Sequence, residues 1–219
     1  MEAGFQDRVD AGRQLAALLV KYADRPHAIV LGLPRGGVPV AFEVAEALHL
    51  PLDVFIVRKI GVPGHEELAM GAIASGSVRV LNEEVIRQLR IPRETIDEVS
   101  AYEAEEILRR ERVYRDDLPP PRAAGRTVIL VDDGLATGST MKAAVAALRK
   151  RGAARIVVAV PVAPLSGCAE FRRIADEMVC VKAPEDFHAV SMWYEHFLQT
   201  TDDEVRDLMA AAMHAATKR

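Results

Sequence analysis

Val128-Ile129-Leu130-Val131-Asp132-Asp133-Gly134-Leu135-Ala136-Thr137-Gly138-Ser139-Thr140 decides the fold. An apolar run too short for a helix ends in two carboxylates, and a loop of small residues then leads into the helical pattern Met141 to Leu148. A strand without polar alternation is buried on both faces, which points to a parallel sheet covered by helices. The acids stand at the carboxyl end of that strand, the edge where open α/β sheets bind ligands.

The same rhythm extends in both directions. Upstream, residues 7–23 carry Leu15, Leu18, Leu19 and Tyr22 at helical spacing, His27 to Leu33 reads as a strand, Gly36 to His49 as a helix, and Leu52 to Val57 as a second strand. Downstream, strands at Thr127–Val131, Arg155–Val160 and Met178–Val181 alternate with helices at Gly138–Arg151 and Ser166–Asp176. A last helix, 202–216, has the stripe Val205, Leu208, Met209 and Met213. Two segments break the rhythm. Residues 58–68 contain two glycines and a proline and read as an extended surface loop. Residues 93–117 read as a solvated helix with Glu105/Arg109, Glu106/Arg110 and Glu111/Arg115 in favourable i, i+4 order, ended by Pro119-Pro120-Pro121.

Composition narrows the classes. The 219 residues are 50% hydrophobic and 27% charged, enough for one well-filled core and one domain. A net charge of -4, without a basic stripe, argues against nucleic acid as partner. The start of the chain lacks the layout of a secretion signal, and the longest uncharged run, Ile156 to Ala169, is 14 residues with two prolines, too short to span a bilayer. Cys168 and Cys180 form no CxxC pair, so neither a disulfide scaffold nor a zinc knuckle is encoded, and a reducing cytoplasm is expected. The six histidines show no HxxxH or HExxH spacing.

The deciding stretch has a chemical use in each of its parts. Free amides and the positive end of the dipole at a helix start favour a dianionic phosphate. Gly138 permits close approach, Thr137, Ser139 and Thr140 add hydroxyl donors, and the acid pair suits the two hydroxyls of a ribose. Asp-Asp-Gly alone is a common turn and Thr-Gly-Ser-Thr alone a common helix cap, but neither explains the two joined. No Walker A lysine and no GxGxxG are present.

The joined motif, Val131 to Thr140, resembles the PRPP-binding signature of the type I phosphoribosyltransferases and is most similar to adenine-type members. The resemblance implies a mostly parallel central sheet with helices on both faces and a small hood, in a single domain 1–219 whose hood comes from parts of 1–25 and 183–219. It also implies transfer of a 5-phosphoribosyl group from Mg-PRPP to a nitrogen nucleophile, Mg²⁺ being held by PRPP and water rather than by protein ligands, and a homodimer without membrane or nucleic-acid partners.

PRPP would be held by Asp132, Asp133, Ala136, Thr137, Gly138, Ser139 and Thr140 together with a pyrophosphate loop at Leu33-Pro34-Arg35-Gly36-Gly37 and with Arg58-Lys59. Asp133, Lys59 and Arg35 would act in catalysis. Residues 60–67, including His65, would be a mobile lid, and Phe187 would stack on the acceptor, with Trp193 nearby as a packing anchor.

The departures concern the acceptor. Ala136 stands where 6-oxopurine enzymes carry an acid, and Ala69 where adenine enzymes carry a glutamate, so neither purine arrangement is present. A non-catalytic PRPP sensor is the alternative that these losses leave open.

Overall fold

The computed structural model describes residues 4–115 and 121–217. Five strands, β1 (Ala28–Gly32), β2 (Leu52–Val54), β6 (Thr127–Val131), β7 (Arg155–Val162) and β8 (Glu177–Lys182), form a wholly parallel sheet in the order β2-β1-β6-β7-β8. Alternate residues of the apolar runs serve the two faces. Ile29, Leu31, Val128, Leu130, Ile156 and Val158 pack under α5 (Ser139–Lys150) and α6 (Leu165–Ile174). Val30, Ile129, Val131, Val157 and Ala159 pack under α1 (Arg8–Leu18) and α2 (Gly37–Leu48). Each fully buried aliphatic side chain contributes on the order of 1.5–3 kcal/mol, so this double-sided sheet is the main core. In the first helical segment Leu15, Leu19 and Tyr22 are buried, whereas Leu18 faces solvent and α1 gives way to a short 3-10 turn at Val20–Tyr22.

The loop expected at 58–68 is instead part of a second sheet. Strands β3 (Val57–Val62), β4 (His65–Ala74) and β5 (Val78–Leu81) are antiparallel, in that order, and make a small hood sheet beside the main one, distinct from the segments of 1–25 and 183–219 expected to form the hood. Ile60, Val62, Met70 and Ile73 bury their side chains against Ile96, Ile107 and Tyr114, which gives the strands an apolar face. Gly64, at φ +78°, supplies the turn. Register shifts at Ile60/Gly61 and Gly61/Val62 mark an irregular pairing, and the charges of Arg58 and Lys59 with Gly61, Pro63 and Gly64 disguise the strand in the sequence.

The helix expected at 93–117 is α4 (Arg93–Arg115), but only one side of it is solvated. Ile96, Ile107 and Tyr114 cover the hood sheet, and Arg115, 2% exposed, reaches Asp53 at 3.1 Å and Glu111 at 3.3 Å. Arg109 pairs with Glu106 rather than Glu105. Residues 116–120, including Pro119 and Pro120, lie outside the described residues. A short α3 (Glu83–Leu89) links β5 to α4, and α7 (Asp202–Thr217) packs on α2 and α4 through Val205, Leu208 and Met209. Among the described residues no helix is long and apolar enough to cross a membrane.

The two ends of the chain meet over the carboxyl edge of β6. Phe5 donates its amide to the Trp193 carbonyl at 2.7 Å and accepts from the Glu195 amide at 2.9 Å. Phe5, Tyr194, Val162 and Ala11 form a fourth cluster with Phe187, Val190, Trp193 and Phe197.

Candidate functional site

Two loops converge at the carboxyl edge of the parallel sheet. The loop after β1 runs through a cis Pro34–Arg35 peptide into Gly36 and Gly37 at the start of α2. It lies directly on the acid pair: a Cβ on Gly37 would stand 2.8 Å from the Asp132 Cα, and one on Gly36 would collide with the Asp133 carboxylate. Glycine is required at Gly37 by this backbone contact, whereas a side chain at Gly36 would have to displace the Asp133 carboxylate. The loop after β6 ends at Gly138, whose φ of +67° turns the chain into α5 and which brings no side chain to cap the helix's first amides. The hydroxyls of Thr137 and Ser139 lie 3.3 Å apart beside these amides, and both residues are exposed. Phosphate chemistry suits this end of the helix.

Asp132 and Asp133 are desolvated neighbours. Burial and the adjacent Asp133 charge hold Asp132 well above the ordinary carboxylate range, and burial raises Asp133 too, against the opposing pull of Arg8. The Asp133 amide donates to the Asp132 carboxylate at 2.9 Å, and the Tyr194 hydroxyl donates to the Asp133 carbonyl at 2.5 Å. Arg8 reaches the Asp133 carboxylate through Nε and Nη2, each at 2.8 Å. Arg8 carried no signal in the sequence, since it lies on α1, 125 residues from its partner.

Lys59 and Arg58 part company because successive strand residues face opposite ways. Arg58 turns to α4 and pairs with Glu103 at 2.6 Å. Lys59 lines a cavity of 580 Å³ between the hood sheet and the start of α5, opposite Ser139, Thr140 and Lys142 and beside Ala69. No carboxylate lines that cavity among the described residues. Ala136, Thr137 and Gly138 border a smaller one of 220 Å³ with Phe171 and Glu170. Arg35 Nη1 lies 3.7 Å from Asp202 on α7, whose carboxylate also accepts from the Tyr114 hydroxyl. Phe187 is half-buried on the Phe5 and Tyr194 cluster and does not line the cavity that holds Lys59. His65 is exposed at the hairpin turn.

Most of this chain matches a known family. The model of the phosphoribosyl transferase domain matches residues 64–195, from the hood hairpin through the acid pair to Glu195. The chain is 48% identical over 201 residues to two curated Mycobacterium tuberculosis proteins, "Putative phosphoribosyl transferase MT0597" of strain CDC 1551 / Oshkosh and "Putative phosphoribosyl transferase Rv0571c" of strain H37Rv. The alignment covers 92% of this chain and 45% of each relative, so the chain spans a little under half the length of the curated relatives it matches. The crystal structure of TT1426 from Thermus thermophilus is 39% identical, with a TM-score of 0.84 over 95% of this chain and 98% of that one. On the sheet order, the two loops at its edge and these matches together, the chain belongs to the phosphoribosyl transferase domain family.

Proposed function

We propose that this chain transfers the 5-phosphoribosyl group of Mg-PRPP to a nitrogen nucleophile and releases pyrophosphate. The observation that carries this reading is the contact of Gly36 and Gly37 with Asp132 and Asp133, one loop's span from the open amides at Gly138. Pyrophosphate, ribose and 5-phosphate sites then follow one another along a single sheet edge.

In this reading the amides and hydroxyls of residues 137–140 hold the 5-phosphate, with Ala136 at the loop's entry. Asp132 and Asp133 accept from the ribose hydroxyls, and the amides of Gly36 and Gly37 face the diphosphate. Lys59 lies across the cavity, with Arg58 tying its strand to α4, and Arg35 borders the loop. Positive charge grows at the ribose C1 as the bond to pyrophosphate lengthens, so the protein's work is positioning, electrostatic stabilisation and exclusion of water. Parts of 1–25 and 183–219, joined through Phe5 and Tyr194, cover the acceptor side, with Phe187 at its border.

Mg²⁺ would be brought by PRPP itself, held by diphosphate oxygens and water rather than by protein ligands, as hard oxygen chemistry favours. The donor set fits: two adjacent carboxylates with basic and amide groups around them suit a ligand that brings its own metal. A cytoplasmic homodimer accompanies the reading. Ala136 and Ala69 offer no carboxylate of the kind that handles the common purines, so the acceptor need not be one of them. A screen of nitrogen bases and small amines for pyrophosphate release with PRPP and Mg²⁺ tests the proposal. Tight PRPP binding with no release for any acceptor would favour a PRPP sensor instead.

A further inference from the structure

Resting on the PRPP reading, we infer that Arg8 is a pyrophosphate-binding residue, which in the free protein is parked on the acid pair and passes to the diphosphate when PRPP arrives. Its guanidinium is held by geometry rather than by chance contact. Nε and Nη2 both donate to the same Asp133 oxygen at 2.8 Å, Nη1 donates to the Leu198 carbonyl at 2.7 Å, and the plane lies 4.0 Å from the Phe197 ring centre. Only 12% of the side chain is exposed. Nη2 is also 3.3 Å from the point where a Cβ on Gly36 would stand, so the cation lies beside the pyrophosphate loop.

Arg35, the charge that the sequence places at that loop, is directed to Asp202 on α7. The guanidinium that lies beside Gly36 while pairing with Asp133 is therefore that of Arg8. Ribose hydroxyls must donate to an Asp133 carboxylate whose one oxygen is taken up by Arg8. An exchange resolves this: the hydroxyls replace the guanidinium on Asp133, and the guanidinium meets the diphosphate, a planar fork matched to phosphate oxygens. Neither charge is left buried and unpaired, so the exchange avoids the cost of stranding either.

The test is calorimetric titration of wild type, Arg8→Met and Arg8→Lys with Mg-PRPP, Mg-pyrophosphate and ribose 5-phosphate. Arg8→Met keeps much of the apolar stem and should weaken Mg-PRPP and Mg-pyrophosphate roughly ten- to hundredfold, the range of one lost charge-assisted contact. Ribose 5-phosphate should bind the variant as well as wild type or better, because Asp133 is no longer occupied. Arg8→Lys should recover part of the pyrophosphate affinity. Equal loss for all three ligands would reduce Arg8 to a prop for Asp133, and unchanged affinity would remove it from the site; either overturns the inference while the PRPP reading stands. A wild-type protein that binds none of the three overturns the PRPP reading and this inference with it. If Arg8→Met does not fold, Arg8→Lys decides alone, through a drop confined to the two diphosphate ligands or its absence.

Discussion

The ring edge of Phe171 lies 2.7 Å from the point where a Cβ on Gly138 would stand. Gly138 also holds φ at +67°, where a side chain is strained in itself. Gly138→Ala should therefore cost roughly 1–3 kcal/mol of stability and displace the ring on α6. The same change shifts the first amides of α5, so phosphate affinity should fall with it. Urea unfolding and phosphate titration measure the two effects, and a variant as stable and as well bound as wild type would separate this loop from the anion site.

Asp132→Asn with Asp133→Asn should weaken Mg-PRPP, since a charge-assisted bond is worth about 1.5–3 kcal/mol and amides supply neutral acceptors instead. A pH dependence goes with it. Both carboxylates titrate above their ordinary value of 3.8, and only the ionised forms are strong acceptors. Affinity should be full at high pH and fall on acidification, starting above the usual aspartate range. The double variant should lack that component. Parallel affinity profiles for the two proteins from mildly acidic to mildly alkaline pH would contradict this assignment.

Lys59→Ala should reduce turnover more than Mg-PRPP affinity, because the charge it faces grows as the bond to C1 breaks. The hairpin that carries it should exchange amide hydrogens slowly at Ile60, Met70 and Ile73, whose side chains are buried. Ligand-dependent protection should be confined to the turn around Pro63 and Gly64. Hydrogen exchange with and without Mg-PRPP tests this, and fast exchange along the whole of 57–74 in the free protein would restore a mobile lid.

Arg115 bridges Asp53 and Glu111 from a site closed to solvent. Arg115→Ala should cost about 3–5 kcal/mol, the usual penalty for stranding buried charge. Burial already raises Asp53 to about 6 even with Arg115 beside it, and loss of the arginine raises it further. A raised carboxyl pKa means the folded protein binds more protons than the unfolded chain, so this group's contribution falls as pH climbs through the window from 3.8 towards 6. In the variant the window extends upward. The destabilisation measured by denaturant should be larger at alkaline than at acidic pH, and a pH-independent loss would contradict the account.

What could be read from the sequence was contiguous. The strand, acids, loop and helix from Thr127 to Lys150 are one run of chain, and their apolar pattern survives because β6 is buried on both faces. The hood sheet was hidden by Gly61, Pro63 and Gly64, which read as loop punctuation although Ile60 and Val62 both turn to the buried face, and by Arg58 and Lys59, which read as loop charges although each faces a different side of one strand. Arg115 looked like a surface residue because an i, i+4 partner says nothing about what covers the helix. Arg8 had no local pattern at all, and its meaning arises only when α1 is laid beside β6 and the segment from Tyr194 to Leu198.

The junction of Phe5 with Trp193 and Glu195 has a bearing on how the protein comes into being. Arg8 reaches Leu198 across 190 residues and Asp133 across 125, so the clamp on the acid pair closes nearly the whole chain into a ring. Contacts of such long range form only after the intervening entropy has been spent. On the ribosome the parallel strands up to β6 can begin to pair while the N-terminal segment still waits for its partner. The acid pair therefore reaches its final electrostatic setting only after residues beyond 193 have emerged.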